Sequence, residues 1–311
     1  MPTLHAMDSL GYRARPSSAS RRWLLRASTL LALLSGLLIG TAAHAQEVTA
    51  TSRSAGLGGA LSAGASGTAA LWHNPAGIVS AMMYSAEAGY AYDGRTGVNA
   101  ATANVIDTKS NESFGAALAF TYETANLENA PAHTGYHLRG GFGVPVLDGM
   151  VKLGAAIRYS SVAEDDEEIL AALILDAGLM FQPLDWLCFG VAGLNLVNGG
   201  YDEQLPPTIS AGMAVSSLSY GFMVSGDVLF DLSAEQVSDA RTWRIGAEYL
   251  AGGVFPIRAG YAYDEPLAES RVSVGAGFRD RNSAIGFDAS YQHNLDDSAD
   301  RVFIGSLSAY F

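Results

Sequence analysis

A single cysteine, Cys188, occurs in 311 residues, which excludes an intramolecular disulfide and any multi-cysteine metal site. Charge is scarce as well: Asp, Glu, Lys and Arg make up 16% of the chain against 49% hydrophobic residues, a lean surface for a soluble protein. Basic residues are the rarer sign, at 18 against 31 acidic ones. Setting residues 1–45 aside removes five arginines and one aspartate, leaving 13 basic and 30 acidic residues and a net charge of −17, a poor match to nucleic acid. Beyond residue 50 there is no uninterrupted apolar run of 18 residues, so helical membrane spans are not expected there. The apolar content has to be hidden some other way.

Catalytic signatures are missing too. The histidines after residue 45 are His73, His133, His137 and His293, with no HExxH, no GxSxG and no Asp/His spacing of metal type. "GLGG" at Gly56 to Gly59 lacks the following Lys-Ser/Thr of a phosphate loop. The expectation is a protein without cofactor, metal centre or enzymatic activity. "EDDEE", Glu164 to Glu168, reads as a solvated acidic loop; calcium is the alternative, but the twelve-residue calcium-loop spacing is absent.

What is present starts with a leader. Arg13, Arg15, Arg21, Arg22 and Arg26 precede the apolar run "ASTLLALLSGLLIG", and "AHA" at Ala43 to Ala45 has the small-x-small form of a cleavage site. Residues 1–45 read as a signal peptide removed before Gln46, with Met7 an alternative start. A retained anchor fits less well, because the run is short for a bilayer core of about 30 Å. "SRRWLLR" resembles a twin-arginine export signal, but a membrane barrel cannot travel folded, which favours the general secretory route.

From about residue 82 the chain repeats one plan: ten to fourteen residues alternating apolar with small or polar, then a turn. Val151, Leu153, Ala155, Ile157 and Tyr159 share one strand face, opposite Lys152, Gly154, Ala156 and Arg158. Phe255, Ile257, Ala259, Tyr261 and Tyr263 likewise oppose Arg258, Gly260 and Ala262. The expected strands are 82–93, 96–107, 112–124, 134–145, 149–162, 168–182, 186–197, 206–216, 219–231, 241–250, 253–263, 269–279, 283–293 and 300–311, with 96–107 and 186–197 alternating least clearly. Alternate connections are tight ("VLDG", "PLDW", "SSLS", "LAGG", "DRNS"), whereas the others are mostly longer and often acidic, as on the two rims of an outer-membrane barrel; the first pair are exceptions, "DGRTG" being short and "DTKSNE" not tight. Aromatic residues near strand ends, among them Trp186, Trp243 and Tyr310, suit the interfacial girdles of such a barrel. A soluble sandwich would show the same alternation with its apolar face inward. Small residues between the charges, connections alternating in length and a strand number too large for a side-chain-filled barrel favour lipid. The fold class expected is all-β, a transmembrane antiparallel β-barrel of about 14 strands spanning residues 82–311.

Residues 46–81 show no strand period and consist mainly of small residues. Inside a barrel, such residues would let backbone thread a crowded lumen; outside, they would form a disordered tail. "ASGTAALWHNPAGIVSA", Ala65 to Ala81, resembles the segment ahead of the barrel in the FadL-type transporter superfamily and its PorV/PorQ-like branch, where a pattern close to "DASALYYNPAGLA" recurs. Asn74, Pro75, Ala76 and Gly77 match it; Thr68 stands where that pattern has an acidic residue and His73 where it has an aromatic or polar one, so no role of the acidic residue carries over. The resemblance implies a fourteen-stranded barrel in the outer membrane of a Gram-negative bacterium, with residues 46–81 as an N-terminal plug or hatch. It implies uptake of hydrophobic or amphiphilic, fatty-acid-like molecules, or alternatively a PorV/PorQ-like accessory that docks secreted or surface proteins.

On the alternation phase the inward ionisable residues are Glu87, Arg139, Lys152, Arg158, Asp176, Asp227, Arg244, Glu248, Arg258, Arg271, Arg279 and Asp288. Facing lipid at mid-depth, each Arg or Lys would cost about 2 to 4 kcal/mol. Their mixed signs suggest ion pairs holding wall and plug; the functional alternative is an arginine gripping a ligand carboxylate. Phe311, ending the alternating "RVFIGSLSAYF", resembles the C-terminal signal read by the outer-membrane assembly machinery. The expected partners are that machinery, outer-membrane lipid and lipopolysaccharide, a hydrophobic ligand or detergent, and secretion-system proteins on the accessory reading; nucleic acid is not among them.

Overall fold

The computed structural model describes residues 51–125, 131–217, 221–234, 237, 240–280 and 284–311; the leader, residues 1–45, lies outside them. Fourteen strands run in chain order: β1 (Tyr84–Asp93), β2 (Asn99–Asp107), β3 (Gly115–Ala125), β4 (His133–Val146), β5 (Val151–Glu164), β6 (Glu167–Leu184), β7 (Leu187–Val197), β8 (Thr208–Ser217), β9 (Phe222–Asp231), β10 (Arg241–Ala251), β11 (Phe255–Asp264), β12 (Glu269–Asp280), β13 (Ile285–Asn294) and β14 (Arg301–Tyr310). Each pairs antiparallel with its neighbour, and β1 closes on β14. Closure leaves no unpaired edge.

The phase of the alternation is the one that lipid demands. On β5, Leu153, Ile157 and Tyr159 are exposed while Lys152 and Arg158 are buried. On β11, Phe255 and Ile257 face out and Arg258 is fully buried. Val274, Phe287, Phe303 and Leu307 continue the outer apolar surface. Aliphatic side chains on the outside and ionised ones inside exclude the soluble sandwich, which needs the reverse.

One expected loop is a strand hairpin instead. β5 and β6 continue through "AEDDEE" and turn on Asp165 and Asp166 alone, both with positive φ (47° and 67°), a two-residue turn of the kind that matches strand twist. The acidic residues therefore extend the wall rather than forming a long loop. At 14 and 18 residues and about 3.4 Å per residue, this hairpin outruns an apolar band about 25 Å tall even when tilted. β7, one of the two less clearly patterned strands, breaks register with β6 between Leu175 and Ala177, with Asn195 at φ 57°.

The rim with the tight turns also carries both ends of the sheet. The Phe311 amide donates to the Tyr84 carbonyl at 2.8 Å, their rings lie 5.4 Å apart, and the Lys109 ammonium donates to the Phe311 carbonyl at 2.9 Å. At the opposite rim, Glu265 accepts from the Trp243 indole (2.9 Å) and Arg241 (2.7 Å), which hold its carboxyl below the usual range and fix a girdle residue in place.

Ile157 lies midway along β5 on the outer face, so Ile157→Arg should destabilise the barrel by about 2 to 4 kcal/mol, whereas Glu203→Arg on the exposed β7–β8 connection should leave stability unchanged. Denaturant unfolding in lipid vesicles measures both; an unaffected Ile157→Arg barrel would overturn the outward assignment.

Candidate functional site

The segment before β1 lies inside the barrel. It comprises a short helix α1 (Ser52–Gly56), a 3-10 turn (Gly67–Ala69), a single helical turn α2 (Ala70–His73) and a second 3-10 turn (Pro75–Ser80). Thr51 caps α1 by accepting from the Ser54 amide. Leu57, Leu61, Leu71 and Ile78 are buried and share a core with Ile106, Ala117 and Ala156 of the wall.

Close approach explains why the segment and the wall facing it are rich in glycine. A Cβ added at Gly260 would lie 2.3 Å from the Gly58 nitrogen, and one at Gly246 would lie 2.5 Å from the Leu57 carbonyl oxygen. On the far wall, a Cβ at Gly154 would come within 2.2 Å of the Ala76 nitrogen, at Gly178 within 2.0 Å of the Asn74 side-chain oxygen, and at Gly190 within 1.9 Å of the Ser62 carbonyl. Backbone thus presses on backbone at two seats, one on β10 and β11 and one on β5 to β7. No side chain fits between them.

Asn74 to Gly77 form the second seat. Asn74 is extended (φ −156°, ψ 103°), the conformation imposed on a residue before proline, and Pro75 starts the 3-10 turn where no amide donor is needed. The Asn74 side-chain oxygen accepts from the Ala76 amide at 3.1 Å, and its backbone carbonyl accepts from Gly77 at 2.9 Å. Its side-chain nitrogen donates to the Ser62 carbonyl (2.7 Å) and towards the wall carbonyls of Leu179 (3.3 Å) and Val191 (3.4 Å). The fully buried amide therefore ties two stretches of the plug to β6 and β7.

All twelve ionisable residues assigned inward by phase lie inside the barrel, and most touch the plug or one another. Glu248 accepts from Arg53 of the plug (3.1 Å) and from Arg258 (2.6 Å), which also donates to Asp288 (2.5 Å). Asp227 accepts from the Ser62 amide at 2.7 Å, with Arg244 opposite it in the ladder. Arg139 donates to the Leu71 carbonyl (3.0 Å), lies 4.4 Å over the Trp72 ring and is 3.8 Å from Asp176. Asp176 accepts from the Asn195 amide, and Arg158 donates to the Asn195 side chain, both at 2.7 Å. Lys152 donates to Ser80 (3.2 Å) and Gln182 (2.9 Å), while Thr68 donates to Glu87 at 3.0 Å. Arg271 is committed to Asp300 near the outer rim, and Arg279 lines a cavity with Glu87 and Asp288.

Sequence reasoning missed Arg53, although it is the only Lys or Arg between residues 46 and 81 and so the natural partner for a wall carboxylate. It also passed over Glu123, whose carboxylate lies 3.0 Å from the His133 ring and 3.2 Å from His137. Among the described residues no group of His, Cys, Asp or Glu side chains is placed to hold a metal ion. Also unforeseen is an apolar patch on the upper inner wall. Val162, Leu170, Ala172 and Ile174 are buried there under Tyr201 and Leu205, which the β7–β8 connection folds inward through bonds from Leu205 to the Tyr201 carbonyl and from Asn198 to Asp202 and Leu205.

The architecture is that of a closed fourteen-stranded antiparallel β-barrel with its N-terminal segment folded into the lumen. No family model matches the sequence, and no curated protein matches it. Solved structures do share the fold. The CymD monoaromatic hydrocarbon channel is 13% identical, with 85% of this chain and 98% of that one covered and a TM-score of 0.63. The Ralstonia pickettii toluene transporter TbuX is 12% identical over 85% of this chain and 99% of that one (TM-score 0.60). A FadL homologue from Pseudomonas aeruginosa is 14% identical over 84% and 98% (TM-score 0.58). At such identities the likeness is one of fold.

Asn74→Ala strips several buried groups of their partner, each worth about 1 to 3 kcal/mol. The variant should lose its folded, heat-modifiable gel band at a clearly lower temperature than wild type, while Glu203→Gln on an exposed loop should not; equal transition temperatures would sink the anchoring role.

Proposed function

We propose that this chain is a FadL-type channel of the Gram-negative outer membrane for passive entry of small hydrophobic or amphiphilic molecules. Residues 1–45 serve as its export leader and Phe311 as its assembly signal. The observation that carries the reading is the apolar patch of Val162, Leu170, Ala172 and Ile174 on the inner wall near the acidic rim, covered by the β7–β8 connection and not by the plug. Ligands that partition poorly through lipopolysaccharide would be captured by replacing Tyr201 and Leu205 on that surface, since the exchange keeps it out of water. The fold shared with a monoaromatic hydrocarbon channel and a toluene transporter supports a ligand of this size and polarity, with fatty-acid-like amphiphiles the larger members of the class. The plug, seated on glycine and held by ion pairs, then sets whether the lumen below is open. The docking-accessory alternative finds no support in these comparisons.

Ile174→Ala removes three carbons from the patch, about 2 kcal/mol of contact at roughly 0.8 kcal/mol per methylene. Binding of toluene or laurate to the purified barrel should weaken about 30-fold, and uptake by cells expressing the variant should fall in step. Wild-type affinity in this variant would refute the patch as the capture site.

A further inference from the structure

The plug does not touch the wall evenly. Along the lumen face of β1 the side chains run Ala91, Gly89, Glu87 and Ser85 from the acidic rim to the tight-turn rim; along β14 they run Val302, Ile304, Ser306, Ser308 and Tyr310. An added Cβ at Gly89 would meet only wall atoms, the nearest 3.6 Å away, in contrast to the glycines of the two seats. Two cavities are stacked in the gap and share Glu87 and Ser306. The lower has a volume of about 130 Å³ and is lined by Ser85, Ser308 and the charges of Arg53, Arg279, Glu248 and Asp288. The upper, between Gly89, Thr102, Asn104 and Ile304, is about 10 Å³, room for about one water. The Asn104 side-chain oxygen is buried there without a hydrogen-bond partner among the described residues. Above it the polar lining stops: Ala55 of α1 packs with Ala91, Ala100, Val302 and Ile304.

We infer that the β1–β2–β14 side of the lumen is a latent aqueous path for small monovalent cations, closed at its top by the apolar collar of Ala55, Val302 and Ile304. A narrow apolar constriction excludes ions by excluding water, whereas hydroxyls, an amide and Glu87 below it can replace a hydration shell. Arg53 is paired with Glu248 at 3.1 Å and Arg258 with Asp288; Arg279 lines the lower cavity only, whereas Glu87 stands at the junction of both cavities, held by the hydroxyls of Thr68 and Ser308. At the rim above, Asp296 and Asp297 of the β13–β14 connection outnumber Arg95, which lies 4.0 Å from Asp297, and the net negative charge favours cations over the collar. The path is separate from the apolar patch on β5 and β6, so it stands or falls independently of the uptake reading.

The test is conductance of the purified full-length barrel in planar bilayers under a potassium chloride gradient. Wild type should stay at the bilayer baseline, whereas Ile304→Asn, which wets the collar, should give steps whose reversal potential favours potassium. Adding Gly89→Leu should fill the neck and cut that current about tenfold or more, and adding Glu87→Gln should lower the cation preference without closing the path. Tyr201→Ala, by contrast, should leave the currents of Ile304→Asn unchanged while altering hydrocarbon binding. Val302→Ser thins the same collar and replaces Ile304→Asn if the latter lacks the heat-modifiable band of a folded barrel. A folded collar variant that conducts no ions, a current that survives Gly89→Leu, or an anion preference would each overturn the inference.

Discussion

Hydrocarbon cannot solvate an ionised side chain, and that constraint organises the molecule from wall to plug. Each strand must send its charges inward, so the lumen collects arginines and carboxylates that water reaches poorly. Left unpaired in such a space they would be costly; the mixture of signs lets them neutralise one another across strands, as Glu248, Arg258 and Asp288 do. The same pressure recruits the plug. Arg53 completes the Glu248 network, the Ser62 amide satisfies Asp227, and the Leu71 carbonyl accepts from Arg139. The plug is therefore part of the charge balance of the wall, not an object resting in a finished tube.

A backbone segment buried in a lumen brings its own unmet donors and acceptors. Regular helix covers few of them here, since α1 and α2 have five and four residues. Asn74 substitutes for secondary structure by bonding to the plug and to two wall carbonyls. Such contacts demand that main chains come nearly to van der Waals distance, and glycine on the wall side is the residue that allows it. Glycine abundance and the small-residue composition of residues 51–81 are thus two halves of one fit.

This logic also marks what a sequence can reveal. All fourteen strands lie within three residues of their expected positions, because period-two alternation with charges on one face is a local signal that survives without homologues. The inward charges were legible for the same reason. Contacts that depend on how the chain returns on itself were not. The acidic run "AEDDEE" has loop composition, yet Asp165 and Asp166 accept positive φ and let β5 and β6 continue past it. Arg53 has no period to betray it, and the grouping of Glu123 with His133 and His137 arises from the β3–β4 register rather than from any spacing along the chain. Tyr201 and Leu205 sit in a polar connection whose inward fold is decided by the apolar wall it covers.

Asymmetry of plug seating has a further consequence. The plug comes closest where backbone meets glycine, on β5 to β7 and on β10 and β11, and meets β1 and β2 through side chains instead, Thr68 with Glu87 and Ala55 with Ala91 and Ala100. Displacing it whole would break both seats and the Arg53 and Asn74 networks together, a loss of many coupled interactions. A tilt of α1 about the Asn74 anchor would disturb the contacts of Ala55 with Val302 and Ile304 and those of Arg53, together with the Ser52–Ser290 and Gln292–Ala55 bonds and the approach of Gly58 to Gly260. The side facing β1, β2 and β14 thus lacks a backbone seat of its own, while the apolar patch on β5 and β6 shares its strands with the Asn74 seat. On the proposed readings, capture on β5 and β6 and the cation path beside β1 and β14 therefore fall on different strands, each with its own kind of contact to the plug.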